Sequence, residues 1–515
     1  MRIHRFHGGL KLQGRYGAAP APIRDCPPPP RLYVPLLARE GKIEPIVAIG
    51  ARVLRGQCIG EPRGIGARVH AGTSGTVIAI EQRDVASSKF VHASCMVIEA
   101  DGQDHWQRSP AIDDWRNASR ETLLARLHDA GIVGLGGAAF PVDIKLAAPA
   151  ETLILNGAEC EPGIGCDRAL MIERAREVVQ GAALLARIVG ARQTIIVLED
   201  SLQDAHAAME SALRLHPFEG AALAQVPTRY PQGGERQLIQ TLTGREVPAH
   251  CLPREIGVLC QNVGTAAAAW RAVAHGEALT SRIVSINGAG LTHPGNYEVR
   301  IGTPIAWLLE QVGGFPPRVA RLVAGGAMMG VALPHDDIPI DAGCNGIQVL
   351  DESMIKPPAP EMPCIRCGEC VRVCPAQLLP QQLFANLMRD DSPRVQLHKL
   401  DACIECGCCA TVCPSQIPLV AWYRWGKLQL REQTKARELS QASRVRFEIR
   451  NVRLQREREE RIAQRTSGEL PAESRVATIT KSDVLAAIAR SRARRDAQRR
   501  SQRDRQNSDG DGEGQ

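Results

Sequence analysis

Two cysteine runs limit what this chain can fold into more than any other feature. Cys364-x-x-Cys367-x-x-Cys370-x-x-x-Cys374-Pro375 is followed by Cys403-x-x-Cys406-x-x-Cys409-x-x-x-Cys413-Pro414. A cubane cluster needs four thiolates around one compact body, so three closely spaced cysteines wrap one loop around it and a distant fourth closes the cage. In paired arrangements that fourth cysteine ligates the other cluster. The spacing therefore predicts one [4Fe–4S] cluster on Cys364, Cys367, Cys370 and Cys413, and a second on Cys403, Cys406, Cys409 and Cys374, with Cys408 as a surplus thiol. Zinc sites close with spaced pairs instead of four-cysteine runs ending in Cys-Pro. Disulfide scaffolds belong to short secreted chains, whereas nine of the 17 cysteines here crowd between Cys364 and Cys413 of a 515-residue chain. Such clusters pass electrons one at a time, and their surroundings set the potential.

The rest of the chain is long enough for several packed domains. With only 3% aromatic residues, their cores must be filled by Val, Ile, Leu and Ala. Residues 1–115 hold short β-like runs broken by Gly and by Pro27–Pro30, which predicts an all-β module. From 116 to 278, helical patterns (Arg120–Ala130, Leu170–Val189) alternate with apolar strands (Thr152–Leu155, Thr194–Leu198), as in an α/β domain. Residues 279–350 read as a strand pair, a turn at His293–Asn296 and a helix starting near Thr303-Pro304, the order of a β-grasp module. The proline-rich run Lys356–Pro363 is a stiff linker inside a segment, 351–425, that carries both cysteine runs. The predicted fold class is thus multidomain α+β, ending in a helical two-cluster domain and a charged tail over 426–515.

That tail holds the charge: from Lys427 onward there are 22 Lys and Arg against 14 Asp and Glu, while the whole chain is +7. Two helices are expected in it, Gly426–Thr466 and a second beginning at Val484 after the capping run Thr480–Asp483. A basic amphipathic helix suits an anionic membrane surface, whereas no nucleic-acid-binding motif accompanies it. No apolar run reaches the length of a membrane span, and MRIHRFHGGLKL lacks a signal peptide's apolar core, so a cytoplasmic protein is expected.

Two-electron donors such as nicotinamides reach one-electron clusters through a flavin. Gly134-Leu-Gly136-Gly137-Ala-Ala139 matches a dinucleotide fingerprint, but Phe140-Pro141 stand where a helix should open. The segments GIVGLGGAAFPVDIKL (131–146), LNGAECEPG (155–163), RYPQGGERQLI (229–239) and CQNVGT (260–265) resemble, in order, the flavin loops of the flavin-binding subunit of respiratory complex I and of its relative, the C subunit of Rnf (Rsx) ion-translocating electron transport complexes. The stretch VLRGQCIGEPRGIGARVHAGTSGTVIAIEQ resembles the barrel-sandwich hybrid of lipoyl and biotinyl domains, without a lysine at a hairpin tip. AAIARSRARRDAQ in the tail resembles one copy of a repeat found in Rnf C subunits.

The resemblance implies FMN held by Gly134, Gly136, Gly137, Lys145, Asn156 and Asn262, with Glu159, Tyr230, Gly233, Gly234 and Glu235 flanking the isoalloxazine. It implies NAD(H) near Phe140 and Glu161. The sequence departs from the complex I pattern at Leu135, Ala158 and Gln261. The resulting expectation is an electron-transferring translocase subunit on the cytoplasmic face of the inner membrane. It would pass electrons between NADH or ferredoxin and membrane-embedded or membrane-anchored partner subunits, one of them an iron–sulfur protein. Two other readings share these motifs: a cobalamin reductase-type flavin/iron–sulfur transferase, and a non-catalytic relay subunit with a degenerate flavin pocket.

Overall fold

The computed structural model describes residues 2–12, 22–86, 91–249, 251–288, 291–314, 319–355 and 360–466. Residues 1–430 form one compact unit and 431–515 another. Among the described residues no helix is long and apolar enough to cross a membrane.

The first strand, β1 (Ile23–Asp25), leaves the N-terminal module and pairs in parallel with a strand more than 270 residues away in sequence, Gly295–Arg300. The module itself is two small sheets facing each other. One contains β2 (Arg31–Pro35), β4 (Arg52–Val53), β7 (Gly75–Val85) and β8 (Val91–Ala100), and the other β3 (Lys42–Pro45), β5 (Cys58–Arg63) and β6 (Val69–His70). Alternation puts Leu32, Val34, Val77, Met96 and Ile98 on the shared inner face. This is the expected barrel-sandwich arrangement.

The α/β domain carries helix α1 (Arg120–Asp129), capped by Ser119 Oγ accepting from Thr122 N–H, and then the single turn α2 (Val142–Lys145). Its parallel sheet contains β9 (Thr152–Gly157), β10 (Gln193–Glu199), β11 (Ala221–Val226) and β12 (Val258–Asn262), in the order β11-β10-β9-β12. Alternate residues of each strand face opposite layers. Leu153, Leu155, Ile196 and Leu198 pack with helices α4 (Ala175–Val189) and α7 (Val263–Ala274), while Ile154, Ile195 and Val197 pack with α6 (Glu235–Thr243). Both faces are covered, which is why these strands read as unbroken apolar runs. The helix expected over Leu170–Val189 is two, α3 (Cys166–Glu173) and α4, because the chain breaks at Arg174 (φ −126°, ψ 34°). Helix α5 (Gln203–Leu215) follows β10.

In the β-grasp module β13 (Ser281–Gly288), β14 (the strand Gly295–Arg300), β15 (Val319–Ala324), β16 (Val331–Leu333) and β17 (Gly346–Asp351) join β1 in the order β1-β14-β13-β17-β15-β16. Helix α8 (Ile305–Gln311) starts after Pro304 and buries Ile305, Leu308 and Leu309 against Val284, Ile286 and Ile347.

The cluster domain repeats one local pattern. In each run the residue before the second cysteine is left-handed (Arg366 and Glu405, both φ +57°), and so is the glycine after it (Gly368 and Gly407, both φ +80°). A one-turn helix follows: α9 (Glu369–Arg372), and in the second copy Cys408–Thr411. Between them lie α10 (Pro380–Leu387) and α11 (Ser392–Leu397), so the second-copy turn is α12. The last helix, α13 (Leu419–Thr466), buries Leu419 and Tyr423 in the cluster-domain core. Beyond Leu430 its residues are mostly exposed and joined by i,i+4 pairs such as Arg444–Glu448 and Arg456–Glu460. The expected second tail helix at Val484 lies outside the described residues.

Candidate flavin and iron–sulfur sites

The sheet order reverses between β9 and β12, and open α/β sheets bind ligands beyond the carboxyl ends of their strands at such a switch point. Asn156 and Asn262 end those two strands and are direct partners in the ladder. Asn262 also caps α7, its Oδ1 accepting from Gly264 N–H at 2.8 Å, while its Nδ2 donates to Asp167 at 2.6 Å. The glycine loop folds over this edge. A Cβ on Gly136 would sit 3.3 Å from that of Asn262, and Gly137, at φ +103°, has nothing within 4 Å of the side-chain position it lacks. The loop is anchored by Leu135 N–H, which donates to Thr265 Oγ1 at 2.9 Å, and by Arg282 reaching Leu135 O at 3.2 Å.

A helix N-terminus, bare backbone amides and an open glycine face fit a phosphate-bearing flavin. Lys145 lies at this edge, donating to Cys260 O at 2.6 Å and to Glu235 Oε1 at 3.0 Å. Asn156 Nδ2 donates to Gly233 O at 2.9 Å, so the β9 loop and the Gly233-Gly234 turn that leads into α6 are tied together.

Three more of the sequence-derived residues contact neighbouring elements. Glu159 accepts from the Asp167 and Arg168 amides at 2.9 and 3.0 Å, closing the start of α3. Burial raises its carboxyl, with the Asp167 charge adding, and burial raises Asp167 likewise. Glu161 accepts from Met328 and Met329 amides at 2.6 and 2.8 Å, in the β-grasp module. Phe140 lies 5.6 Å under the Arg39 guanidinium of the N-terminal module.

Sequence reasoning left four residues of this region without a role, one of them, Cys160, read as a small buried hydrophobe. Asp167 holds Asn262, Arg282 holds the glycine loop, and Cys160 Sγ accepts from Gly233 N–H at 3.2 Å. The fourth, Glu199, ends β10 fully buried with neither carboxylate oxygen hydrogen-bonded, and burial pushes it up to about 8. Cys160 lies inside the LNGAECEPG segment, whereas the other three belong to no spaced motif, and only the notion that carboxyl ends of parallel strands collect function points to Glu199.

The cysteines gather around two cavities. Cys364, Cys367, Cys370 and Cys413 line one, and Cys374, Cys403, Cys406 and Cys409 line the other. Four sulfurs facing one void fit a cubane cluster. The two environments differ: Cys364 and Cys367 are exposed, whereas Cys374, Cys406 and Cys409 are buried. Backbone N–H groups of Leu378 and Glu405 point at Cys374 and Cys403 sulfurs, each at 3.4 Å. Lys427 donates to Cys403 O and, at 2.7 Å, to Glu405 Oε1, which leaves a compensated positive charge beside the buried cavity. The Cys408 thiol is fully buried and hydrogen-bonds Cys406, lowering the Cys406 thiol from its ordinary range.

The two regions touch. Tyr230, from the flavin-type segment RYPQGGERQLI, is 1% exposed and donates its hydroxyl to Cys406 O at 2.7 Å. Cys160, Tyr230, Cys406 and Cys408 form one apolar cluster with Met328 and Val373 at its edge.

Four family profiles match in the same order as the modules: the RnfC barrel-sandwich hybrid domain at 4–103, the Nuo51 FMN-binding domain at 127–271, the SLBB domain at 283–332 and a 4Fe-4S dicluster domain at 363–417. The chain thus carries an FMN-binding domain and a domain for two iron–sulfur clusters. It is 47% identical over 470 residues to the C subunit of the ion-translocating oxidoreductase complex of Pseudomonas aeruginosa, covering 90% of this chain and 60% of that one. With the corresponding protein of Pectobacterium atrosepticum it shares 41% identity, covering 96% of this chain and 72% of that one. The chain therefore spans about 60% of the length of the first of these relatives. Among solved structures, an NAD+-reducing [NiFe]-hydrogenase in the air-oxidised state is matched over 53% of each chain at 21% identity, with a TM-score of 0.43, too slight a likeness to carry an argument.

Proposed function

Because the chain belongs to the family of C subunits of ion-translocating oxidoreductase complexes, we propose that it passes electrons between NAD(H) and partner subunits of such a complex, by way of FMN and two [4Fe–4S] clusters. FMN exchanges hydride equivalents for single electrons, and the clusters carry those electrons onward one at a time. The observation that carries the reading is the Tyr230–Cys406 hydrogen bond, which joins the flavin-type segments directly to the loop of the buried cysteine set.

In this reading Lys145 and the amides of the glycine loop hold the FMN phosphate, and Asn156 and Asn262 orient the flavin at the switch point. Gly134 and Gly234 keep their loops free of side chains, while Phe140 and Glu161 border the nicotinamide side. Cys374, Cys403, Cys406 and Cys409 hold the inner cluster, next to Tyr230. Cys364, Cys367, Cys370 and Cys413 hold the outer one, whose exposed Cys364 and Cys367 suit delivery to another protein. Tyr230, Cys160 and Cys408 exclude water from the boundary between flavin and inner cluster. The chain acts at the membrane surface, on the cytoplasmic side, and ion movement takes place in membrane-embedded partners.

Cofactor analysis of the anaerobically purified chain tests this. FMN close to stoichiometric with protein, alongside two clusters, is expected, and Lys145→Ala should release FMN while leaving iron unchanged. Two clusters without flavin in the unaltered protein would leave only a relay.

A further inference from the structure

The first described residues do not join the N-terminal β module. His4 N–H donates to Thr241 O at 2.8 Å, at the end of α6 in the FMN-binding domain. Phe6 is 5% exposed, and its ring lies 5.5 Å from the Arg229 guanidinium of the same domain. Gly9 N–H donates to Val373 O at 2.9 Å, in the cluster domain. One residue later the chain is back on the FMN-binding domain: Leu10 and Tyr230 exchange both backbone hydrogen bonds, at 2.7 and 2.9 Å. Leu10 and Leu12 then pack onto the apolar cluster of Cys160, Tyr230, Cys406 and Cys408. Within seven residues, from His4 to Leu10, this segment bonds to both sides of the boundary across which Tyr230 reaches Cys406.

Two glycines allow that path. Gly8 and Gly9 have φ of +70° and +77°, a region where side chains are strained. A Cβ on Gly8 would lie 2.6 Å from the carbonyl carbon and oxygen of Val373 and 2.8 Å from the carbonyl carbon of Cys374, an inner-cluster ligand in the reading above. A Cβ on Gly9 would lie 2.6 Å from Tyr230 O. Any side chain there pushes the strap away from the ligand loop or the Tyr230 turn. Along the chain these two domains are joined only through the β-grasp module and the proline-rich run, and the strap bridges them directly by hydrogen bonds and packing.

We propose that residues 4–12 form a strap that fixes the separation between the FMN and the inner cluster, with Gly8, Gly9 and Phe6 as its positioning residues. The inference rests on the electron-transfer reading of the preceding subsection. A rigid, dry boundary held at one spacing keeps the one-electron step fast, and small displacements produced by changes away from a reacting centre can lower a rate by on the order of a hundredfold.

The test uses the full chain with FMN and both clusters, comparing Gly8→Ala and Phe6→Ala with the unaltered protein. In the first measurement the protein is poised chemically so that the one-electron-reduced flavin and reduced clusters coexist, and microwave power saturation of the flavin radical signal is followed, because a nearby paramagnetic cluster relaxes that signal. In the second, stopped-flow absorbance separates flavin reduction from cluster reduction after mixing with NADH. The strap predicts easier saturation in the variants and cluster reduction slowed by at least about tenfold, with flavin reduction and FMN content unchanged. Saturation equal to the unaltered protein in Phe6→Ala, whose ring lies by Arg229 of the FMN-binding domain, would overturn it, even if Gly8→Ala loses iron. If the unaltered protein shows no flavin-to-cluster transfer, the electron-transfer reading fails, while the saturation comparison still decides the strap.

Discussion

Glu298 ties the β-grasp module to the FMN-binding domain, and replacing it by glutamine tests how strongly the module supports the site. Its carboxylate, largely buried, accepts from Arg174 Nη2 at 2.5 Å, Ser281 Oγ at 2.8 Å and Arg271 Nη1 at 3.3 Å. Burial alone would raise its pKa, but Arg271 and Arg174 outweigh that and hold it at about 2, against an ordinary 4.5. That gap corresponds to about 3 kcal/mol of stability at neutral pH. Breaking a buried pair by removing one partner costs roughly 3–5 kcal/mol, so the two routes agree. Because the folded value is depressed, the contribution is complete above about pH 4.5 and disappears as pH falls towards 2. Glu298→Gln should therefore lose about 3 kcal/mol at pH 7. Urea unfolding followed by tryptophan fluorescence reads this well, since Trp270, next to Arg271, packs edge-to-face on Trp115 at 5.7 Å. A loss below about 1 kcal/mol, the scale of an exposed ion pair, would refute the reasoning.

Three further outcomes are expected. Cys374→Ser should remove the same cluster as Cys406→Ser, and Cys413→Ser the same one as Cys370→Ser, each lowering iron from about eight to about four atoms per chain; EPR spectra grouped by run instead would contradict the crossed ligation. Tyr230→Phe leaves the buried Cys406 carbonyl without its donor, so a stability loss of about 1–3 kcal/mol is expected with apolar packing kept, read as a shift in the urea midpoint. Glu199 is protonated in the folded state up to about pH 8 and ionises near 4.5 when unfolded, so it removes stability as pH rises through that window. Glu199→Gln should flatten the fall in thermal midpoint of the flavin-free protein between about pH 5 and 8, and an unchanged slope would count against it.

Much of this was legible because short-range chemistry is written in spacing. The two four-cysteine runs force their own loops, and the alternation of Leu153, Ile154 and Leu155 with helical stretches announces a covered parallel sheet. The glycine loop and Asn156 could be placed by resemblance, and the ladder sets Asn156 opposite Asn262. Long-range pairings were not legible. Nothing local to Ile23–Asp25 says that it will extend a sheet built from residues beyond 280, since the segment is too short to carry a period. HGGLKL looked only like a start without a signal peptide, because its bonds go to Tyr230 and Val373, far along the chain. The break at Arg174 escaped the helical pattern because its partner, Glu298, lies in another module. The hydrogen bonds by which Glu159 closes α3 and Glu161 reaches the β-grasp module were likewise not legible, because their partners lie outside the LNGAECEPG segment.

The most direct measurement is an anaerobic NADH titration of the reconstituted protein, with flavin absorbance and cluster EPR recorded together. The account predicts bleaching of the flavin followed by the signals of two reduced clusters. Clusters that stay oxidised while NADH is added, or a protein that binds no flavin, would contradict it.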